Sequence, residues 1–218
     1  DSPQRVLTIY SSRHYDSDIE LFAMFEEESG ARLDVREAGA SQLLETLKAE
    51  NDQSPADIVI AADAGSLWRF QDAGITQAIT NEAISDLVPA NYRDADGHIH
   101  RYGEEGAQAW ATAIVENMAR NPQGGDTDQI RAIAAGECSI AIVNHYYWIR
   151  LGASSNQADA DVAAATAFLV PEFEDGSGSH VNITAIGVTR TADDLELAEE
   201  FVEFLLTEKG QSSVTRDT

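Results

Sequence analysis

The chain has 218 residues, of which 43% are hydrophobic, and its 38 acidic and 14 basic side chains give a formal net charge of −24 at pH 7. This length suffices for one large or two modest domains, and no apolar run approaches the roughly 20 residues that a membrane-spanning helix needs. The negative charge argues against a nucleic-acid partner, because phosphate groups are bound by a basic surface.

The first third of the chain alternates strand-like and helix-like patterns. Strands are predicted over Arg5–Tyr10, Arg32–Arg36 and Asp57–Ala62. Helices are predicted from an N-cap at Asp18 to a stop at Gly30, from Ser41 onward, and over Gly65–Asp72. This alternation is typical of parallel βαβ units with right-handed crossovers. The unbroken apolar run in Asp57–Ala62 predicts a strand that is buried on both faces.

The remainder of the chain carries weaker signals. After a polar connection, helices are predicted over Ala107–Met118 and from Asp126 to Ala135. A last helix is predicted from Asp193 or Asp194, with Leu197, Phe201, Phe204 and Leu205 on one face. The three segments that read as further strands are Ser139–Asn144, Thr166–Val170 and His180–Arg190.

Ligands of open parallel sheets lie beyond the carboxyl ends of the strands. This rule selects three loops, namely Ser11–Tyr15, Asp63–Gly65 and His145–Arg150. Two of the loops place tyrosines beside a histidine. On a strand-to-helix turn, the neighbouring phenols of Tyr146 and Tyr147 could reach a single point.

Tyrosine phenols are unusual metal ligands. A free phenol has a pKa of about 10, but a small, highly charged cation favours its deprotonated form, and hard oxygen donors select hard cations. His14, Tyr15, Tyr146 and Tyr147 would therefore suit ferric iron. The alternative is that these tyrosines are half-buried packing residues with their hydroxyls in water. The spacing alone leaves both interpretations open.

Several separate motifs, in the same order along the chain, resemble the ferric-iron-binding periplasmic proteins of ABC importers. The resemblance extends over nearly the whole chain. Its motifs are Ile9–Tyr15, Asp57 with Asp63–Arg69, Pro122–Arg131, Gly136–Cys138 leading to Asn144–Tyr147, and His180–Ile183.

The resemblance implies an α/β fold of the two-lobed periplasmic binding protein type, with parallel-rich sheets. The first lobe would comprise residues 1–80 and 183–218, and the second lobe residues 101–182, joined by a connection over 81–100. Fe3+ would be held between the lobes by Tyr15 from the first lobe, with His14 as a further candidate ligand, and by Tyr146 and Tyr147 from the second. Arg150, and less directly Arg13, would offset phenolate charge or hold an accompanying anion.

These features imply a binding protein and not an enzyme. It would be a monomer that works outside the cytoplasm, in the periplasm, and delivers ferric iron to the membrane permease of an ABC importer. The chain begins at Asp1 without Met, which we interpret as the end that remains after removal of a signal peptide. The excess of acidic residues indicates either a halophilic protein adapted to high salt or simply an acidic surface.

The chain also departs from the family pattern. Relatives of this type carry several tens more residues at the point where His100 is followed directly by Arg101. The absent stretch would hold strands of the second lobe, a further tyrosine ligand and often a cysteine that could partner Cys138. Either the sequence omits a segment of the protein here, which leaves the second lobe incomplete, or the protein is truly shortened. We expect an omission, because a true deletion of parallel strands would leave Ser139–Asn144 without neighbouring strands.

Two other functions remain as alternatives. The same fold could bind an oxyanion or an organic anion through Arg13, Arg150 and helix N-termini. A metal-dependent hydrolase would use His14, Tyr15 and an acidic base, but the sequence contains no carboxylate–histidine motif in its favour.

Overall fold

The computed structural model describes residues 3–88, 103–121, 123–170 and 183–214. The chain divides into two compact units, which we call the first unit (residues 1–98 and 181–218) and the second unit (residues 99–180). None of the helices in the described ranges combines the length and the apolar character that crossing a bilayer requires.

The helices and strands alternate along the first unit and give way to helices in the second. In chain order the elements are β1 (Val6–Ser11), α1 (Asp16–Ser29), β2 (Arg32–Glu37), α2 (Ala40–Glu50), a 3₁₀ turn (Asn51–Gln53), β3 (Ile58–Ala61), α3 (Ala64–Asp72), α4 (Glu82–Leu87), α5 (Gly103–Glu116), α6 (Asp126–Ala134), α7 (His145–Ala153), α8 (Gln157–Ala164), β4 (Ala185–Val188), α9 (Leu195–Leu206) and α10 (Glu208–Val214).

The first unit is built on a four-stranded sheet with the order β2-β1-β3-β4. β1 pairs in parallel with both β2 and β3, which confirms the predicted βαβ units. β4 pairs antiparallel with β3. Of the segment His180–Arg190 that was predicted as a strand, Ala185–Val188 forms one, and residues 180–182 lie outside the described residues.

Side chains of β3 pack on both faces of the sheet. Ile58 and Ile60 belong to one apolar cluster, whereas Val59 and Ala61 belong to another on the opposite face. Successive residues of a strand point to opposite faces, so a strand covered on both sides must be apolar at every position. The prediction that this strand is doubly buried is confirmed.

The helix α1 begins at Asp16, three residues earlier than a helix capped by Asp18 would begin. Tyr15 occupies its N-cap position, and the helix ends at Gly30, whose φ of 70° lies in the left-handed region that favours glycine. The predicted cap, Asp18, lies inside the helix instead. Its carboxylate accepts hydrogen bonds from Arg13 and from the backbone N–H of Tyr15.

The helix α9 returns the C-terminal part of the chain to the first unit. It begins after Asp194, whose carboxylate accepts the backbone N–H of Leu197 at 3.0 Å, and this confirms the predicted start. Arg5 forms a two-pronged ion pair with the same carboxylate, at 2.7 and 2.8 Å. The N-terminal segment is thereby tied to the start of α9.

The ion pair between Arg5 and Asp194 predicts a dependence of stability on pH. The hydrogen bond from Arg5 lowers the pKa of Asp194 in the folded state. A carboxyl of this kind stabilises the fold above its unfolded pKa of about 3.9, and the contribution is lost as the pH falls through the lower folded pKa. Asp194→Asn keeps a good helix cap but removes the charge.

We therefore expect Asp194→Asn to lower the thermal midpoint slightly at pH 7, by an amount that shrinks as the pH falls below about 4. The effect is small because solvent screens the partly exposed pair. Thermal unfolding of both proteins between pH 7 and pH 3 measures it. A difference that stays constant down to pH 3 would contradict the prediction.

The described part of the second unit consists of helices α5 to α8 and contains no strand. The predictions of strands over Ser139–Asn144 and Thr166–Val170 are therefore wrong for this structure. Ile140 and Ile142 are 84% and 70% exposed, and Leu169 and Val170 are also exposed. An apolar run becomes a sheet strand only where a neighbouring strand accepts and donates its backbone hydrogen bonds, and the described part of this unit offers none.

Candidate functional site

The loop that follows β1 lies at the carboxyl edge of the sheet of the first unit. The backbone N–H of Ser12 donates to the carbonyl oxygen of Ile60 at 2.8 Å, and the Ser12 hydroxyl accepts the N–H of Ala62 at 3.1 Å. β1 and β3 are neighbours in the sheet, although β2 separates them in the sequence and lies on the other side of β1. Such a switch point is where open α/β sheets bind ligands.

Arg13 is a buried residue of this loop. Its side chain and that of Asp18 are each 4% exposed, and Nη2 lies 2.9 Å from Asp18 Oδ1. Nη1 donates to the hydroxyl of Thr184 at 2.5 Å. The guanidinium predicted to hold an anion is therefore engaged by partners within the protein.

His14 and Tyr15 follow Arg13 and lie side by side. The imidazole is exposed and the phenol ring is half-buried, with stacked rings whose centroids are 5.8 Å apart at an interplanar angle of 12°. The Arg13 guanidinium carbon lies 4.8 Å from the centroid of the Tyr15 ring. The first unit thus presents an imidazole and a phenol from one short loop, with a buried cation behind the phenol.

Tyr146 and Tyr147 lie in the first turn of α7. The segment His145–Arg150 was predicted as a loop, but it forms the beginning of this helix. Asn144, the N-cap residue of this helix, is held by Asp126, whose carboxylate accepts the Asn144 backbone N–H at 2.6 Å. The two phenol rings lie against each other with centroids 4.5 Å apart, at an interplanar angle of 34°.

Arg150 lies one helical turn beyond the paired tyrosines. Its guanidinium carbon is 5.2 Å from the Tyr146 ring centroid and 5.8 Å from that of Tyr147. Arg150 is exposed, and within the described ranges it forms no ion pair with a carboxylate. An exposed cation beside two phenols can offset the charge of phenolates or bind an anion.

The helix α7 is held in place by the small core of the second unit. Tyr147 and Trp148 pack against a buried cluster of Ile130, Leu151 and Ala163. The Trp148 indole N–H also donates to the hydroxyl of Thr166 at 3.0 Å. These contacts fix the backbone at the start of α7, and they therefore also fix the points from which the side chains of Tyr146 and Tyr147 extend.

The third predicted loop has a structural role. Asp63 caps α3, and its carboxylate accepts the backbone N–H and the hydroxyl of Ser66 at 2.7 and 2.8 Å. Within the described ranges, no three histidine, cysteine or carboxylate side chains come together as they would around a metal ion.

Sequence reasoning missed Asp18 and Thr184 as neighbours of the first-unit loop. Asp18 lies five residues after Arg13, a separation that a reader of the sequence could have tested for an ion pair. Thr184 is 171 residues away, and no local pattern indicates that its hydroxyl meets Arg13.

A model of the bacterial extracellular solute-binding protein family matches residues 18–217, so the chain belongs to that family. Among individual relatives, iron uptake protein A1 of Synechocystis sp. is 32% identical over 274 residues, which cover 100% of this chain and 76% of the relative. Iron uptake protein A2 of the same organism is 31% identical, over 95% of this chain and 75% of the relative.

Solved structures agree with this membership. A Trichodesmium protein (IdiA, FutA) solved with iron and citrate ligands has a TM-score of 0.83 and 30% identity, over 97% of this chain and 84% of that protein. The ferric binding protein from Campylobacter jejuni has a TM-score of 0.83 and 29% identity, over 96% and 84% of the two chains. The predicted fold of the periplasmic binding protein type is confirmed.

The alignment with iron uptake protein A1 also bears on chain length. It extends over 274 residues, whereas this chain has 218, so at least 56 positions, the difference between the two, have no counterpart here. This difference is of the same order as the several tens of residues that were predicted to be absent. Their predicted place, between His100 and Arg101, lies outside the described residues.

Proposed function

We propose that this chain captures ferric iron through tyrosine phenolates and delivers it to the permease of an ABC importer. The observation that carries the proposal is the contact between the Tyr146 and Tyr147 rings, 4.5 Å apart at the start of α7, with the Arg150 guanidinium against both. Relatives named for iron uptake and ferric binding support iron as the cargo.

The donor set suits this cargo. Ferric iron is a hard cation, and phenolate oxygens are hard donors. Tyr146 and Tyr147 supply two negative oxygens from the second unit, and Tyr15, with His14 beside it, supplies ligands from the first. Arg150 offsets part of the negative charge that two adjacent phenolates bring together, or it holds an anion that completes the coordination of the metal.

The work of such a protein is binding and release, without turnover of a substrate. Closure of the two units around iron would bring the ligands of each unit onto one metal ion. Iron would leave when the phenolates are protonated or when the metal is reduced, because the ferrous ion is less suited to these ligands. The protein would work as a monomer outside the cytoplasm.

A ferric titration of the purified protein tests the proposal. Iron is supplied as a weak chelate, and the visible absorption spectrum is recorded after each addition. We expect a phenolate-to-iron charge-transfer band that saturates near one iron per chain. Gallium, a redox-inert trivalent cation, should compete for the same site and reduce the band.

A folded protein that develops no such band would refute iron capture by the phenolates. Calorimetric titration with citrate, phosphate and carbonate in the absence of iron would then test the alternative, in which the cargo is an anion bound near Arg150.

A further inference from the structure

We propose that Arg13 is a positioning residue: it fixes the ring of Tyr15 and ties the loop of Tyr15 to the segment through which the chain returns to the first unit. The expected effect on iron binding rests on the proposed function, whereas the contacts of Arg13 with Tyr15 and Thr184 do not depend on it. Arg13 thereby has a different role from Arg150, although both were predicted to hold an anion.

The first part of the arrangement is a buried ion pair. Arg13 Nε lies 3.1 and 3.2 Å from the two carboxylate oxygens of Asp18, and Nη2 lies 2.9 Å from Oδ1. The same carboxylate accepts the backbone N–H of Tyr15 at 3.4 Å. Arginine presents its donors in a rigid planar fork, so two points of attachment to Asp18 set the plane of the guanidinium.

The second part is the contact between this guanidinium and the ring of Tyr15, the proposed iron ligand of the first unit. Its central carbon lies 4.8 Å from the centroid of the Tyr15 ring, within the range of a cation–π contact. The backbone N–H of Arg13 is also held, at 3.1 Å, by the buried hydroxyl of Ser11 at the end of β1. The main chain and the side chain of Arg13 are thus both held by hydrogen bonds. The ring of Tyr15 therefore packs against a guanidinium whose orientation is fixed.

The third part reaches across the sequence. Nη1 donates to the hydroxyl of Thr184, which directly precedes β4. The chain re-enters the first unit at Val181, so Thr184 is the fourth residue after the boundary. A displacement of this returning segment would therefore move the Thr184 hydroxyl, which accepts a hydrogen bond from the Arg13 guanidinium that supports the Tyr15 ring.

The environment of Arg13 argues against direct contact with an anion. Its side chain is 4% exposed and donates to protein oxygens from three nitrogens. Arg150, by contrast, is exposed and pairs with no carboxylate in the described part of the chain. Removal of a supporting partner of a metal ligand typically weakens metal binding by about 10- to 100-fold.

The test uses three variants and a matched control. Arg13→Lys keeps the positive charge but loses the planar set of guanidinium donors. Thr184→Val removes the hydroxyl that accepts from Arg13, whereas Thr184→Ser retains a hydroxyl at this position. Arg36→Lys is the control, because Arg36 lies 5.2 Å from the Tyr10 ring centroid and pairs with Glu50 in a similar arrangement of arginine, tyrosine and carboxylate elsewhere in the first unit.

Two quantities are measured for each protein. The first is the nitration rate of Tyr15 by tetranitromethane in the iron-free protein, followed by peptide mass spectrometry. The second is the ferric dissociation constant, from competition with a chelator monitored at the charge-transfer band. We expect Arg13→Lys to bind iron about 10- to 100-fold more weakly, with a shifted band and a several-fold change in the nitration rate.

Thr184→Val should change both quantities in the same direction by a smaller factor, whereas Thr184→Ser and Arg36→Lys should match the original protein. Equal nitration rates in all five proteins overturn the inference, whether or not iron binds. Failure of the original protein to show the band refutes the proposed function alone, and nitration still decides the inference. If Arg13→Lys does not fold, the two Thr184 variants decide it, because Thr184 is exposed.

Discussion

Replacement of both Tyr146 and Tyr147 by phenylalanine is expected to abolish the charge-transfer band and ferric binding. The double variant keeps the contact between the rings and removes only the two oxygens that the proposed site needs. Both side chains are half-buried, so loss of the hydroxyls should cost the fold no more than about 1 kcal/mol per group. Loss of binding would therefore reflect lost ligands and not unfolding.

Tyr10→Phe is the matched control for this experiment. Tyr10 is a buried tyrosine of β1, and its hydroxyl donates to Glu50 at 2.9 Å, away from the loop of Tyr15. This variant should keep the full band and lower stability by about 1 kcal/mol, because Glu50 loses one hydrogen bond but keeps those from Ser54 and Arg36. A double variant that still binds one ferric ion with an unchanged band would contradict the assigned ligands.

The single variants add a quantitative comparison. Tyr146→Phe and Tyr147→Phe should each weaken binding and reduce the intensity of the band, because each leaves one phenolate in the second unit. Tyr15→Phe should have a similar effect from the first unit. An effect confined to one tyrosine of the pair would mean that the other is a packing residue, which is the second interpretation that the spacing leaves open.

Phe201→Ala is expected to destabilise the first unit by about 3–5 kcal/mol. Phe201 is 0% exposed in the main core, and its ring meets the Phe25 ring edge-to-face at 5.0 Å. It also lies 6.2 Å from the ring of Phe22. Truncation would remove these contacts and leave a cavity between α9 and α1, which surrounding side chains could fill only in part.

The measurement is unfolding in urea, combined with hydrogen exchange of peptides from α9. Exchange separates the first unit from the second, which matters because a chain with two units need not unfold in one step. Leu195→Ala is the control on the same helix, since Leu195 is 44% exposed and its loss should cost within about 0.5 kcal/mol. Equal losses for the two variants would contradict the assignment of Phe201 to the core.

Much of the first unit was predictable from local pattern. The doubly apolar run of β3, the glycine at the end of α1 and the acidic cap of α9 each have a local physical cause. Local rules work here because hydrogen bonds within helices and the alternation of faces along a strand depend on near neighbours. The start of α1 differs from the prediction because Asp18 is the third residue of the helix, where its carboxylate accepts the Tyr15 backbone N–H and binds Arg13.

The second unit shows the opposite case. Ser139–Asn144 has the composition of a buried strand, yet Ile140 and Ile142 are exposed and the segment is irregular. A strand depends on hydrogen bonds to another segment, and the same side chains are buried or exposed according to whether that segment is present. At least 56 positions of iron uptake protein A1 have no counterpart in this chain, so composition alone could not decide the outcome.

The sequence by itself determined the candidate site residues, since the paired tyrosines, the His14–Tyr15 pair and the two arginines were all selected from their motifs. The tertiary structure decided what surrounds each arginine. Arg13 is buried on Asp18 and Thr184, whereas Arg150 lies exposed beside two phenols. The physical reason is that a buried cation needs oxygen acceptors within hydrogen-bond distance, and the fold decides which oxygens lie there. The position of Thr184 depends on how the returning chain enters the sheet.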